Sequence, residues 1–286
     1  MAFLALVVIA GGNAPAIRYV SCEGCELDPF WAAATRFLLA AAIFAAVVAA
    51  LRVGVPRGRA FLGAALFGVL QFGAGFGLVY WGLVHAPAGL GQVLLACVPL
   101  LTFGLALLHR QERFRWEGIA GAVLAVAGIA VVFASGLGAD VPLTSMLAIL
   151  AGALCWAEAL VVVKAFPPAH AAATNAVAMA AGGVVLLVLA AIAGESYAIP
   201  ESAKAWGAQA YLVVAGSLGV FWLYVLVVRR WTASAASYQL VLVPLVTVLV
   251  SAWLQDEPVT VSFAAGSVLV LAGVYVGALR QPRGVG

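Results

Sequence analysis

Residues 98–112 read VPLLTFGLALLHRQE, and residues 243–257 read VPLVTVLVSAWLQDE. In each copy a proline stands 13 residues before a glutamate, and Thr102 falls on Thr247, 145 positions later. The match runs on. At the same offset AGAVLAVAGIAV (120–131) meets AGSVLVLAGVYV (265–276), and at an offset of 139 PFWAAATR (29–36) resembles PAHAAATN (168–175). A chain built from two related halves, 1–139 and 140–286, is the economical account.

The solvent of those halves follows from composition. Hydrophobic residues make up 66% of the 286-residue chain, charged residues only 9%, and mean hydropathy is +1.15. So few charges cannot cover that much apolar surface in water, whereas a bilayer solvates it. A spanning helix takes about 20 mainly apolar residues. Ten stretches qualify: 2–20, 29–51, 61–84, 88–109, 116–135, 142–166, 171–194, 206–229, 234–255 and 259–280. Period-2 alternation is lacking, which argues against a transmembrane barrel. The expected fold is an all-α membrane protein of ten helices.

Charge sets the orientation. One side of this arrangement collects Arg52, Arg57, Arg59, Arg110, Arg113, Arg115, Lys164, Arg229, Arg230, Arg280 and Arg283; the other holds Arg18 and Lys204. Eleven against two places the first side, and both termini, in the cytoplasm. Five helices per half is an odd number, so the second half enters the membrane upside down relative to the first. Inverted repeats are an architecture of alternating-access carriers. Pro99 and Pro244 fall mid-span, where each is expected to free the carbonyl four residues back and to act as a hinge near the binding site.

Other signals say less. Ala14-Pro15-Ala16 loosely fits a signal-peptide cleavage site, but no basic residue precedes the apolar run, so the segment is expected to stay as a span. Cys22 and Cys25 fall short of a four-ligand zinc site and read equally as a local disulfide or an incidental pair. No Walker-type loop occurs. No metal, cofactor or nucleic-acid partner is expected.

The proline span closing on glutamate, followed by a glycine-spaced span (Gly121, Gly128) and repeated once, resembles the EamA type of the drug/metabolite transporter superfamily. The tryptophan-glycine opening frequent in that family is missing from AGGNAPAIR (10–18), while the sixth helix carries Trp156. The resemblance implies export of small metabolites across an inner membrane, notably amino acids, with the aromatic amino-acid exporters as the branch to name first. Its partners would be that solute and membrane lipid, the protein acting as a monomer.

Charged groups inside spans are functional candidates by default. Glu158 lies about eight residues, roughly 12 Å, from the inner end of its helix. It either binds substrate amine or exchanges protons, or it is a structural hydrogen-bonded acid. Arg36 either binds carboxylate or reaches back to the interface. Asn13, Gln71, Gln92, Tyr238 and Gln239 line a cavity or act as packing glue between helices. Tyr80, Trp81, Trp156 and Tyr224 could wall in a bulky solute, or Tyr80 and Trp81 could belong to the outer aromatic belt. An integral-membrane enzyme would need a convergent nucleophile, metal cluster or acid–base pair. A channel would need rings of charge or a repeated polar lining. Neither pattern is present.

Overall fold

The computed structural model describes residues 2–20, 26–85, 88–132, 142–255 and 261–279. Their regular elements are all helices, with no strand among the described residues. The first half comprises α1 (Ala2–Gly11), α2 (Asn13–Val20), α3 (Pro29–Ala50), α4 (Arg59–Gly68), a π-helical segment at Val69–Gly75, α5 (Phe76–His85), α6 (Ala88–Leu95), α7 (Val98–Leu108) and α8 (Trp116–Val132). Then follow α9 (Leu143–Ala165), α10 (Ala171–Ala193), α11 (Ala203–Val213), a π segment at Val214–Gly219 and α12 (Val220–Arg230). Last come α13 (Ala233–Ser237), α14 (Gln239–Gln255) and α15 (Val261–Val274), which runs into a π segment at Tyr275–Leu279.

Five helices are long and apolar enough to cross a membrane: Pro29–Ala50, Arg59–Leu83, Leu143–Ala165, Ala171–Ala193 and Ala203–Arg230. Shorter apolar helices occupy Ala2–Gly11, Val93–Leu108, Trp116–Val132, Ala233–Val246 and Val261–Gly277. The chain is therefore an all-helical, multi-pass membrane protein.

Several expected spans are interrupted, each for a local reason. The first breaks at Gly12, where the Tyr211 hydroxyl donates to the Ile9 carbonyl at 2.8 Å. That carbonyl is the acceptor an unbroken helix would offer to the Asn13 N–H. The fourth breaks at Ala96–Cys97, ahead of Pro99, which occupies the first turn of α7. A proline there forfeits no helical hydrogen bond, so the expected freed carbonyl does not arise at Pro99. In the second half the interruption falls at Tyr238, and α14 continues through Pro244. The two prolines are thus not equivalent breaks.

Packing pairs related helices. α3 lies along α10, and α8 along α15. A Cβ on Gly121 would stand 2.6 Å from the Gly273 carbonyl oxygen, and one on Gly128 would stand 2.7 Å from that of Gly266. Position 121 meeting 273 while 128 meets 266 is the register of antiparallel helices in backbone contact, which only glycine permits. α3 and α10 are antiparallel too, since Gly183 abuts Leu38 while Glu195, just past α10, reaches the first turn of α3. Other contacts exchange between halves: α5 packs on α9 as α12 packs on α1, and α7 on α9 as α14 on α1.

Candidate functional site

Arg36, on α3, is buried to 1% exposure and does not reach back to an interface. Its Nε donates to Ser217 Oγ and its Nη2 to the Gly216 carbonyl, both at 2.9 Å. Nη1 is buried with no hydrogen-bond partner. Among the described residues no carboxylate forms an ion pair with this guanidinium. A buried cation without a counter-ion carries a large desolvation cost, which an incoming anion would relieve.

Acceptors converge on the same place. A Cβ on Gly216 would stand 2.2 Å from Asn13 Oδ1 and 3.2 Å from Arg36 Nη2, so α2 and α3 both approach that glycine closely. Asn13 Oδ1 is buried there without a partner, as is Gln71 Oε1 on the π segment that carries Phe72. The Tyr80 hydroxyl lies near Arg36. Gly216 and Gln71 sit in two of the three described π segments, 145 residues apart, where the wider turn releases backbone carbonyls. Arg36 takes the one at Gly216, and Trp156 Nε1 takes the one at Gln71, at 3.0 Å.

Aromatic rings wall the site. Arg36 lies over Phe37 at 4.9 Å and Phe76 at 5.7 Å. Phe37, Phe72 and Phe221 join these rings to Phe67 and Tyr224. The arrangement offers a guanidinium to a carboxylate, amide oxygens to an ammonium and rings to an apolar body.

The two ends of the bundle differ. At the end poor in Lys and Arg, three carboxylates tie residues 26–31 to residues 195–202. Gly194, with φ +70°, ends α10 and turns Glu195 back, so that its oxygens accept from Phe30 N (3.0 Å) and Trp31 N (2.7 Å). Asp28 accepts from Ser196 N and Oγ, Glu26 accepts from Glu201 N and Ser202 N, and Trp31 Nε1 donates to Ala198 O. Burial pushes the Glu195 carboxyl above its ordinary range, whereas the Ser202 hydroxyl and two backbone N–H groups hold Glu26 below it. Acidification therefore relieves the burial of the Glu195 charge, against its two N–H contacts, and weakens the contact at Glu26. At the arginine-rich end Glu112 accepts from Ser234 N and Oγ, and a cavity opens beside Lys164 and Arg229.

The sequence candidates divide. Arg36, Asn13 and Tyr80 come together, Trp156 packs on Phe76 and holds the Gln71 carbonyl, and Tyr224 lies at the far side of the ring cluster. Trp81 is 43% exposed and so is no wall of this site. Tyr238 is buried between α8 and the segment after α15, its hydroxyl donating to Gly118 O and touching Gly277. Gln239 is buried on the first turn of α14. The side chain of Gln92, the Cys22–Cys25 pair and Glu257 lie outside the described residues. Glu158 faces away from Trp156, toward α7, where Oε1 lies 3.2 Å from His109 Nε2. Glu158 Oε2 is buried without a partner, but the pair with His109 lies apart from Arg36, and Glu158→Gln is expected to leave the pH profile of transport unchanged. A displaced profile in proteoliposomes would restore Glu158 to proton exchange.

Sequence reasoning missed Gly216, Ser217 and Asn175. The 145-residue offset maps Gln71 of QFGAGFG onto Gly216, and the 139-residue offset maps Arg36 onto Asn175. Asn175 is buried, donates to Phe221 O at 3.0 Å and keeps an unpartnered Oδ1.

The EamA-like transporter family matches residues 1–134 and again residues 143–278. The inner membrane transporter YedA of Escherichia coli K12 is 30% identical over 279 residues, covering 96% of this chain and 89% of YedA. A protein of Streptantibioticus cattleyicolor named a probable terminal-alkyne amino-acid exporter is 31% identical over 278 residues, covering 96% of this chain and 91% of that one. A solved crystal structure of a protein 20% identical in sequence superposes with a TM-score of 0.80 over 97% of this chain and 95% of its own, a likeness of fold alone.

Proposed function

The chain belongs to the EamA-like transporter family and lies, multi-pass, in the inner membrane; from that premise we propose that it exports small carboxylate-bearing solutes, amino acids and foremost aromatic ones, by alternating access around Arg36. The observation carrying this reading is the buried guanidinium with a free Nη1, set among rings and unpartnered amide oxygens. An aromatic amino acid supplies the three complements in one molecule. The name of the Streptantibioticus relative supports the same solute class.

Residues 1–139 and 140–286 act as two inverted five-helix halves with ten membrane crossings and cytoplasmic termini. Support comes from the antiparallel α3–α10 and α8–α15 pairs, from the contacts that exchange between halves, and from two matches to one family. The excess of Lys and Arg supports the orientation. Under this reading the three carboxylates hold the outer end closed, and the cavity by Arg229 opens to the cytoplasm.

Outer closure should weaken in Glu195→Ala. Removing a side-chain cap costs about 0.5–2 kcal/mol, so the open population should rise by about 2- to 30-fold. Spin labels at Tyr19 and Ile199 would report it as growth of a longer separation. An unaltered distribution would remove Glu195 from the closure.

The function itself is tested by counterflow in proteoliposomes of labelled phenylalanine against its amide, which lacks the carboxylate. Saturable exchange of the acid and not the amide is expected. Unsaturable flux of both would favour a channel, and no flux of any amino acid would remove the solute class.

A further inference from the structure

The cavity at the arginine-rich end has a volume of about 190 Å³, room for about six waters at roughly 30 Å³ each. It lies between α4 on one side and α9, α10 and α12 on the other, so both halves build it. Two cations, Lys164 and Arg229, stand at its rim with Thr174, and no acidic side chain is among its lining residues. Lys164 is committed: its Nζ donates to the Val228 and Trp231 carbonyls and so caps the end of α12. Arg229 is not. Its side chain has one weak contact, Nη2 to Thr174 Oγ1 at 3.5 Å. The inner wall is apolar and ends on Phe67 and Tyr224, whose rings stack at 6.2 Å.

Those two rings begin the path to Arg36. Phe67 lies 5.7 Å from Phe72, Phe72 lies 4.8 Å from Phe37, and the Arg36 guanidinium lies over Phe37. One cationic site at the mouth and another in the core are thus joined by a plug of packed rings. We infer that this cavity is a vestibular subsite, in which Arg229, with Thr174 beside it, holds the carboxylate of an incoming solute. The apolar body of the solute lies against Phe67 and Tyr224 before the plug opens. The inference rests on the carrier reading above and adds to it a selective step ahead of the core. Under it, Arg229→Gln raises KM from the cytoplasmic side about fivefold, as loss of one partly screened charge contact does, while kcat holds.

The test separates this cavity from the core site and a solute from a lipid headgroup. The protein carries Ala169→Cys at the rim, alanine at its four native cysteines, and Arg36→Gln to disable the core. It is placed in nanodiscs of phosphatidylcholine alone. An anionic methanethiosulfonate should label residue 169 faster, relative to a cationic one, by about fivefold more than after Arg229→Gln, and Arg229→Lys should restore the ratio. 3-Phenylpropionate should slow labelling and 3-phenylpropanamide should not. An unchanged ratio on neutralising Arg229, or equal protection by acid and amide, would overturn the subsite. Protection by phosphatidylglycerol without protection by 3-phenylpropionate would overturn it in favour of a lipid. Absent transport by the wild-type protein in proteoliposomes, with this labelling pattern intact, would count against the carrier reading alone.

Discussion

Arg36→Gln is expected to lower kcat/KM for a carboxylate solute by about 10- to 150-fold, the equivalent of one charged hydrogen-bonded contact of about 1.5–3 kcal/mol. The guanidinium is fully buried, its Nη1 is unpartnered, and no carboxylate of the described chain neutralises it. An anion entering beside it gains a charge-assisted, two-pronged contact in a low dielectric. Glutamine keeps a polar tip toward Gly216 and Ser217 but supplies no charge. Arg36→Lys keeps the charge without the planar fork and should fall between the two. The diagnostic measurement is discrimination between phenylalanine and its amide. If Arg36 binds only protein groups, the variants lose acid and amide transport alike, and the carboxylate assignment fails.

The second large effect concerns folding. Gly128→Leu should remove the folded, monodisperse protein from detergent extracts, because the new side chain would start 2.7 Å from both the Gly266 carbonyl and the Val270 nitrogen. Both neighbours are backbone atoms of a helix and cannot step aside as a side-chain tip would. Overpacking costs typically about 1–3 kcal/mol and more where backbone must move. In lipid no hydrophobic gain offsets the separation of α8 from α15, since contact between the helices is what holds them together. Gly104→Leu is the matched control. A Cβ there meets nothing within 4 Å, so a normal elution profile is expected. Equal elution of both variants would show that the glycine contact is not a support of the bundle.

Particular residues show where sequence reasoning reaches and where it stops. Gly121 and Gly128 were legible through their recurrence at 266 and 273, because close helix contact demands glycine wherever it occurs. Arg36 was legible as an anomaly, since charge within an apolar run is costly in any fold. Its surroundings were not. Ser217, its partner, is one serine among several in the chain, and only its place in the π segment gives it meaning. Glu158 lies about 12 Å inside its span by sequence, yet it turns to His109 just past α7. Trp81 and Tyr80 are neighbours in sequence, and helical geometry sends one outward and the other to the core.

By itself the sequence determined the solvent and the helical class, and it carries the internal repeat and charge asymmetry on which the proposed opposed halves rest. Each of those depends on hydropathy, period and charge, which are additive along the chain. Tertiary structure alone decided that α2, α3 and the segment before α12 meet at Gly216, that Pro99 follows its break while Pro244 lies within α14, and that Tyr211 ends α1. These depend on which helix faces touch across separations of up to 202 residues. That choice is made by side-chain volume and hydrogen-bond satisfaction in three dimensions, which a linear pattern does not encode.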